Sequence, residues 1–213
     1  MMIEIRELTK AYNKTVVLDH VSVTFETGKI YGLIGRNGSG KTMLMKSILG
    51  FVYPDEGEVL VDGKKIGKDK DVPGNVGAII ETPGFLLDST AYQNLQYLAM
   101  IQNKVTDDQI RKVLDQVGLN ADDKKKVRAF SLGMRQRLGL AQALMETPSI
   151  LLLDEPMNGL DDQGVEDMRR ILLEYKTSDR IIIVASHSKE DIELLCDEVY
   201  RMSRGKIEKN TEK

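Results

Sequence analysis

"GLIGRNGSGKTML", residues 32–44, decides how the rest of the chain is read. Its centre, Gly35 to Thr42, fits the pattern G-x-x-x-x-G-K-[ST] of a phosphate-binding loop. Glycines at 35, 38 and 40 allow the backbone of Gly35, Arg36, Asn37, Gly38, Ser39 and Gly40 to wrap an anion with its N–H groups inward. The helix that follows offers its positive end to the same anion. Lys41 is expected to neutralise phosphate charge, and Thr42 to ligate Mg²⁺. An accidental glycine-rich turn would lack this setting, with apolar "KIYGLIG" before the loop and helix-like "KTMLMKSILG" after it. The stretch predicts a nucleotide site between a strand and a helix.

Working outward, "IEIREL" and "VSVTFE" alternate as strands of a half-buried antiparallel sheet, and "GEVLVDGKKI" reads as a hairpin turning at Asp62-Gly63. "VGAII", "SILLLD" and "RIIIVAS" are unbroken apolar runs, as in parallel strands buried on both faces. Residues 90–118 turn helical in two segments parted near "NKVTDD", with Thr106 or Asp107 as cap of the second. A further helix covers Ser131 to about Met145, and "GVEDMRRILLEYK" is amphipathic. A last strand is expected near Arg201–Ile207. The fold class is therefore α/β, a P-loop NTPase core with a mostly parallel sheet, an N-terminal antiparallel β subdomain and an inserted helical subdomain. We expect residues 1–213 to form a single domain with a helical lobe at about 88–146.

The chain is 41% hydrophobic and 30% charged, with a formal net charge of −3. A negative balance argues against nucleic acid as a partner. Cys196 is the one cysteine, so no intrachain disulfide can form, in keeping with a reducing cytoplasm. The start alternates like a strand and lacks the apolar block of a signal peptide. No run approaches the roughly 18 apolar residues that span a bilayer, so any membrane role comes through a partner. Lys124–Lys126 is read as a solvated turn or helix face, and His20 as structural.

Further chemistry gathers at strand ends. Asp154 closes "ILLLD", where a carboxylate can hold Mg²⁺, and Glu155 follows as a candidate general base toward water. His187 comes just after "IIIVA", at the carboxyl end of a central strand where open α/β sheets bind ligands. Its imidazole could contact a γ-phosphate or orient the attacking water. "FSLGMRQR", residues 130–137, is a second candidate anion site: Ser131 has a hydroxyl, Gly133 permits close approach and a helix begins there. An ordinary capped helix accounts for Ser131 but leaves Gly133 and Arg135–Arg137 unexplained.

In order, "GRNGSGKT", "IIETPG", "FSLGMRQR", "LLLDEPMNGLD" and "SH" resemble the nucleotide-binding subunit of an ABC transporter. The resemblance runs from Tyr12 to the end of the core, and its ingredients "IIETPGF" and "SLGMRQRLGLA" are similar to the bacterial bacitracin and lantibiotic-type peptide exporter group. It implies an ATPase that uses ATP and Mg²⁺. Two cassettes pair head to tail as a homodimer or paired cassette, each capping the partner's ATP through Ser131, Gly133 and Asp161. It also implies a separate transmembrane permease, with the chain cytoplasmic and peripheral on the inner membrane face. Tyr12 then matches the aromatic that stacks on adenine. The usual L-S-G-G-Q here reads Phe130-Ser131-Leu132-Gly133-Met134, losing its first glycine and its glutamine. The usual mid-chain glutamine is Glu81, which can ligate Mg²⁺ but cannot donate to phosphate. The loop from Glu81 carries exposed-looking Phe85, Leu86 and Leu87, suited to docking the permease. Two other readings stay open: a non-transport ABC ATPase of DNA repair or translation, and a P-loop small-molecule kinase.

Overall fold

The computed structural model describes every residue except 68, 70, 71, 103 and 211–213. Of the segment "NKVTDD", Asn103 lies outside the described residues. Two long strands open the chain, β1 (Met2–Tyr12) and β2 (Thr15–Glu26), paired antiparallel through a two-residue turn. Asn13 and Lys14 both have positive φ, the geometry whose twist suits such a hairpin. β4 (Glu56–Val61) and β5 (Lys64–Lys65) complete a four-stranded sheet of order β2-β1-β4-β5, turning at Asp62-Gly63 as the sequence predicts.

The second sheet, which ends in β10 (Lys206–Lys209), has the order β10-β9-β3-β8-β7-β6. Its parallel members are β3 (Lys29–Ile34), β6 (Val76–Ile79), β7 (Ile150–Asp154), β8 (Ile181–Ser186) and β9 (Glu198–Ser203). The unbroken apolar runs follow from burial on both faces. Tyr31, Leu33, Leu152 and Ile183 face a core shared with the antiparallel sheet and with helix α1 (Lys41–Ile48). Ile30, Leu151, Leu153, Ile182 and Val184 point the other way, into a core built with the remaining helices. Those are α2 (Ala91–Gln102), α3 (Asp107–Gln116), α4 (Leu132–Leu144), α5 (Asp162–Tyr175) and α6 (Lys189–Leu195). Burying a leucine-sized side chain contributes about 1.5–3 kcal/mol, and these central strands bury such side chains on both faces.

Thr106, not Asp107, caps α3: its hydroxyl accepts from the Gln109 N–H while the Gln109 side chain accepts from the Thr106 N–H, a reciprocal capping box. Lys126 pairs with Thr90 as an isolated bridge, while Lys124 and Lys125 are exposed. His20 is also exposed, its ring against Asp19.

The expected final strand at 201–207 is instead the heart of a hairpin: β9 ends at Ser203, Arg204 and Gly205 turn with positive φ, and β10 (Lys206–Lys209) returns antiparallel. Helix α6 was not foreseen. With seven residues, it is too short to display a helical period.

Candidate nucleotide site

The phosphate loop connects β3 to α1 and is braced from two sides. A Cβ on Gly35 would collide with the Met202 carbonyl of β9, so here glycine serves packing against the sheet. Gly40, the residue before α1, has φ +112, and a Cβ there would lie 2.9 Å from the Val17 carbonyl. The Gly205 N–H donates to the Ser39 carbonyl at 3.1 Å, so the β9–β10 turn holds the loop from outside.

Within this frame Lys41 is buried and donates to the Gly35 carbonyl at 2.6 Å, turned back over its own loop. Thr42 Oγ1 donates to Asp154 Oδ2 at 2.6 Å, joining the first turn of α1 to the tip of β7. Glu155 follows in a left-handed conformation, φ +52, which is strained for a residue with a side chain. Its Oε2 lies 2.8 Å from His187 Nδ1, and its Oε1 lies 3.9 Å from Lys41 Nζ. The structure thus brings Lys41, Thr42, Asp154, Glu155 and His187 to one place, at the carboxyl ends of β3, β7 and β8. Ser39 Oγ and Glu155 Oε1 are buried without a hydrogen-bond partner among the described residues, as expected of groups that await a ligand.

A cavity of about 660 Å³ opens beside the loop, lined by residues 34–39, His187 and residues 201–204. Arg201 and Arg204 belong to it and were missed from sequence. The signal was there: β9 runs parallel to β3, so its carboxyl end meets the site. Reading 201–207 as one strand hid that end. Tyr12 stands apart at the tip of β1, half exposed, with Lys10 Nζ 5.3 Å from its ring centre.

Three other expected residues sit elsewhere. Glu81 has positive φ and accepts from Lys46 Nζ at 2.6 Å, one turn beyond Thr42 rather than beside the Thr42–Asp154 pair. Ser131 caps α4 and accepts from the Met134 N–H at 3.2 Å, while Asp161 caps α5 and accepts from the Gly164 N–H at 2.9 Å. Neither Ser131 nor Asp161 lines the cavity at the phosphate loop of its own chain.

Their two loops pack together, since a Cβ on Gly133 would lie 3.2 Å from the Gly159 carbonyl. That contact explains Gly133 without any anion. The arginines beside it also have partners within the chain. Arg135 donates to the Arg128 carbonyl, and Arg137 donates to the Val117 carbonyl and to Asp167 at 3.0 Å. Of the apolar residues after Glu81, Leu86 and Leu87 are 56% and 51% exposed, whereas Phe85 packs partly onto the helical core.

Residues 18–158 match the ABC transporter family. The chain is 47% identical over 207 residues to the uncharacterized ABC transporter ATP-binding protein YybJ of Bacillus subtilis, covering 97% of this chain and 95% of that one. It is 40% identical to the bacitracin transport ATP-binding protein BcrA of Enterococcus faecalis, covering 97% of this chain and 68% of that one. With the lantibiotic transport ATP-binding protein SrtF of Streptococcus pyogenes it shares 37% identity, over 97% and 89%. Among solved structures, cbiO1 from Clostridium perfringens, part of the cbiONQ ABC transporter complex, superposes with a TM-score of 0.83 at 27% identity, over 97% of this chain and 86% of that one. The dimeric ATP-binding cassette MJ0796 bound to ADP and Pi has the same fold, with a TM-score of 0.86 at 21% identity over 97% and 98%. The chain belongs to the ABC transporter family, as an ATP-binding and ATP-hydrolysing subunit.

Proposed function

We propose that two copies of this chain close head to tail around two Mg·ATP and drive a separate membrane permease that exports peptide antibiotics or similar compounds. The observation that carries the reading is the pairing of Glu155 with His187 at 2.8 Å, opposite Lys41 and beside the Thr42–Asp154 pair. Lys41, which donates to the Gly35 carbonyl, would turn its ammonium to the β- and γ-phosphates of bound ATP, joining the N–H groups of Gly35–Thr42. Thr42 and Asp154 offer a hydroxyl and a carboxylate, the hard oxygen donors that suit Mg²⁺. Bound there, the ion would neutralise charge on the phosphates. Glu155 Oε1, without a hydrogen-bond partner among the described residues, takes the proton of the attacking water, while His187 holds Oε2 and fixes the carboxylate's direction. Tyr12, at the tip of β1, is the surface on which adenine stacks.

Ser131, Gly133 and Asp161, at the amino ends of α4 and α5, complete the partner's site rather than their own. Glu81, at the base of the exposed Leu86–Leu87 loop, serves as the link between nucleotide and permease, and its exposed carboxylate lies within reach of water. Among the described residues no helix is long and apolar enough to cross a membrane. On this reading the chain acts at the inner membrane face through that permease, as one cassette spanning residues 1–213 whose partners do not include nucleic acid.

The test is complementation. A Ser131→Arg chain and a Lys41→Ala chain should each be inactive alone. Mixed, they should recover part of the parent's ATP hydrolysis, because one composite site of the pair is then intact. Mixed dimers that form without regaining activity would refute the shared site.

A further inference from the structure

The peptide of Glu155 is held in its disfavoured left-handed conformation by three hydrogen bonds. Its N–H donates to the Ala185 carbonyl at 2.8 Å. Its carbonyl accepts from the Asn158 N–H at 3.2 Å and from Gln136 Nε2 at 3.3 Å. Ala185 belongs to the sheet and Asn158 to the same loop. Gln136 comes from a different body, the second turn of α4, five residues beyond Ser131. It is only 8% exposed, at a helix position that an apolar side chain would otherwise fill.

We infer that Gln136 is a positioning residue that ties the Ser131 end of α4 to the backbone of Glu155, so that ATP held by one site of the pair sets the catalytic base of the other. The inference rests on the trans reading above, in which Ser131 and Gly133 touch the partner's nucleotide while Glu155 acts on its own. In each chain, α4 is locked to the loop 155–161 by more than this one bond. Gly133 packs tightly on the Gly159 carbonyl and on Leu160, and Arg137 bridges to Asp167 of α5, the helix into which that loop leads. A shift of the α4 end as it docks on the partner's phosphate cannot be absorbed locally, and it reaches the Glu155 peptide through the Gln136 amide. That peptide is the two-state element. Released from Gln136 it can relax to the right-handed conformation and swing its carboxylate away from His187. The coupling is physical because one peptide feels both sites.

The experiment uses Gln136→Met, which keeps volume and removes the donor, and Gln136→Glu, which keeps shape and presents a carboxylate to the carbonyl. ATP hydrolysis is measured against ATP concentration for each, with thermal unfolding and nucleotide binding as checks of fold. The expected result is a fall in kcat of about tenfold in both variants with KM nearly unchanged. A Hill coefficient above one in the parent should drop to one. A residue that only stabilises α4 would lower Tm and leave kcat and cooperativity alone, and that outcome overturns the inference, as does a parent that shows no cooperativity. If one variant fails to fold, the other decides. Glu155→Gln run alongside separates the two levels. Were it fully active, the assignment of the base itself would fail; if it is inactive while both Gln136 variants behave like the parent, only the coupling fails.

Discussion

Replacing Glu155 by glutamine tests the assignment of the base most directly, because the structure indicates how little else should change. The Gln oxygen can still accept from His187 Nδ1, now 2.8 Å from Glu155 Oε2, and the backbone bonds to Ala185 and Asn158 do not involve the side chain. What is lost is the proton acceptor at Oε1 and one negative charge 3.9 Å from Lys41 Nζ. Loss of a positioned general base lowers the rate about 10²- to 10⁴-fold. That raises the barrier by about 3–5 kcal/mol. The charge acts in the opposite direction on binding. Two unit charges about 4 Å apart attract by about 4 kcal/mol in a medium of intermediate polarity, and solvent at the site reduces that figure. Lys41, freed of this competitor, should hold ATP at least as tightly as in the parent. Phosphate release at saturating ATP should therefore fall at least about 10²-fold. A nucleotide titration should show undiminished affinity, and size-exclusion chromatography with ATP should show an accumulated dimer. Hydrolysis at the parent rate would refute the role of Glu155, and a lost affinity for ATP would refute the electrostatic argument.

The remaining predictions concern other parts of the molecule. Glu81→Ala should leave ATP affinity of the isolated subunit nearly unchanged, since the proposed function gives phosphate binding to Lys41 and the loop amides, but abolish stimulation of hydrolysis by the permease; equal stimulation of mutant and parent would remove Glu81 from the coupling route. At the far edge of the parallel sheet, hydrogen bonds from Lys209 and Lys29 lower the Glu198 pKa from 4.5 to about 2. A lowered carboxylate pKa stabilises the fold above the unfolded value and loses that contribution as pH falls toward the folded one. The contribution should therefore be full above about pH 4.5 and fade toward pH 2. With both lysines partly exposed we expect about 1–2 kcal/mol, and denaturant midpoints of Glu198→Gln should be less sensitive to acid than those of the parent.

The sequence shows the strands around the phosphate loop clearly because their signals are local. Ile150–Leu153 and Ile181–Val184 are apolar throughout, and only burial on both faces accounts for that. The carboxylates at the tip of β7 follow from the same strand. What stayed hidden depends on distant partners. Nothing local explains Arg135 and Arg137, and only the approach of Arg128, Val117 and Asp167 gives them partners within the chain. Glu81 was read against phosphate and metal, but the curvature that sets it beside Lys46 is a tertiary matter. The turn at Arg204-Gly205 was overlooked inside "YRMSRGKIEK" because the polar residues on both sides alternate smoothly into it. The left-handed backbone of Glu155 has no signature at all, since a residue other than glycine holds it.

That overlooked turn changes where the nucleotide-binding unit ends. Every recognisable motif has been passed by His187, and a minimal fragment designed from motifs would be cut there. Yet the Gly205 N–H holds the Ser39 carbonyl, the Gly205 carbonyl accepts from the Asp19 N–H, and the Met202 carbonyl lies against Gly35. The hairpin works as a clasp, gripping the phosphate loop and the second strand together. Trimmed of it, such a fragment would keep the phosphate-loop residues and lose the mould that shapes them. Domain grafts and truncations of this subunit should accordingly treat the segment through Gly205 as inseparable from the loop it encloses.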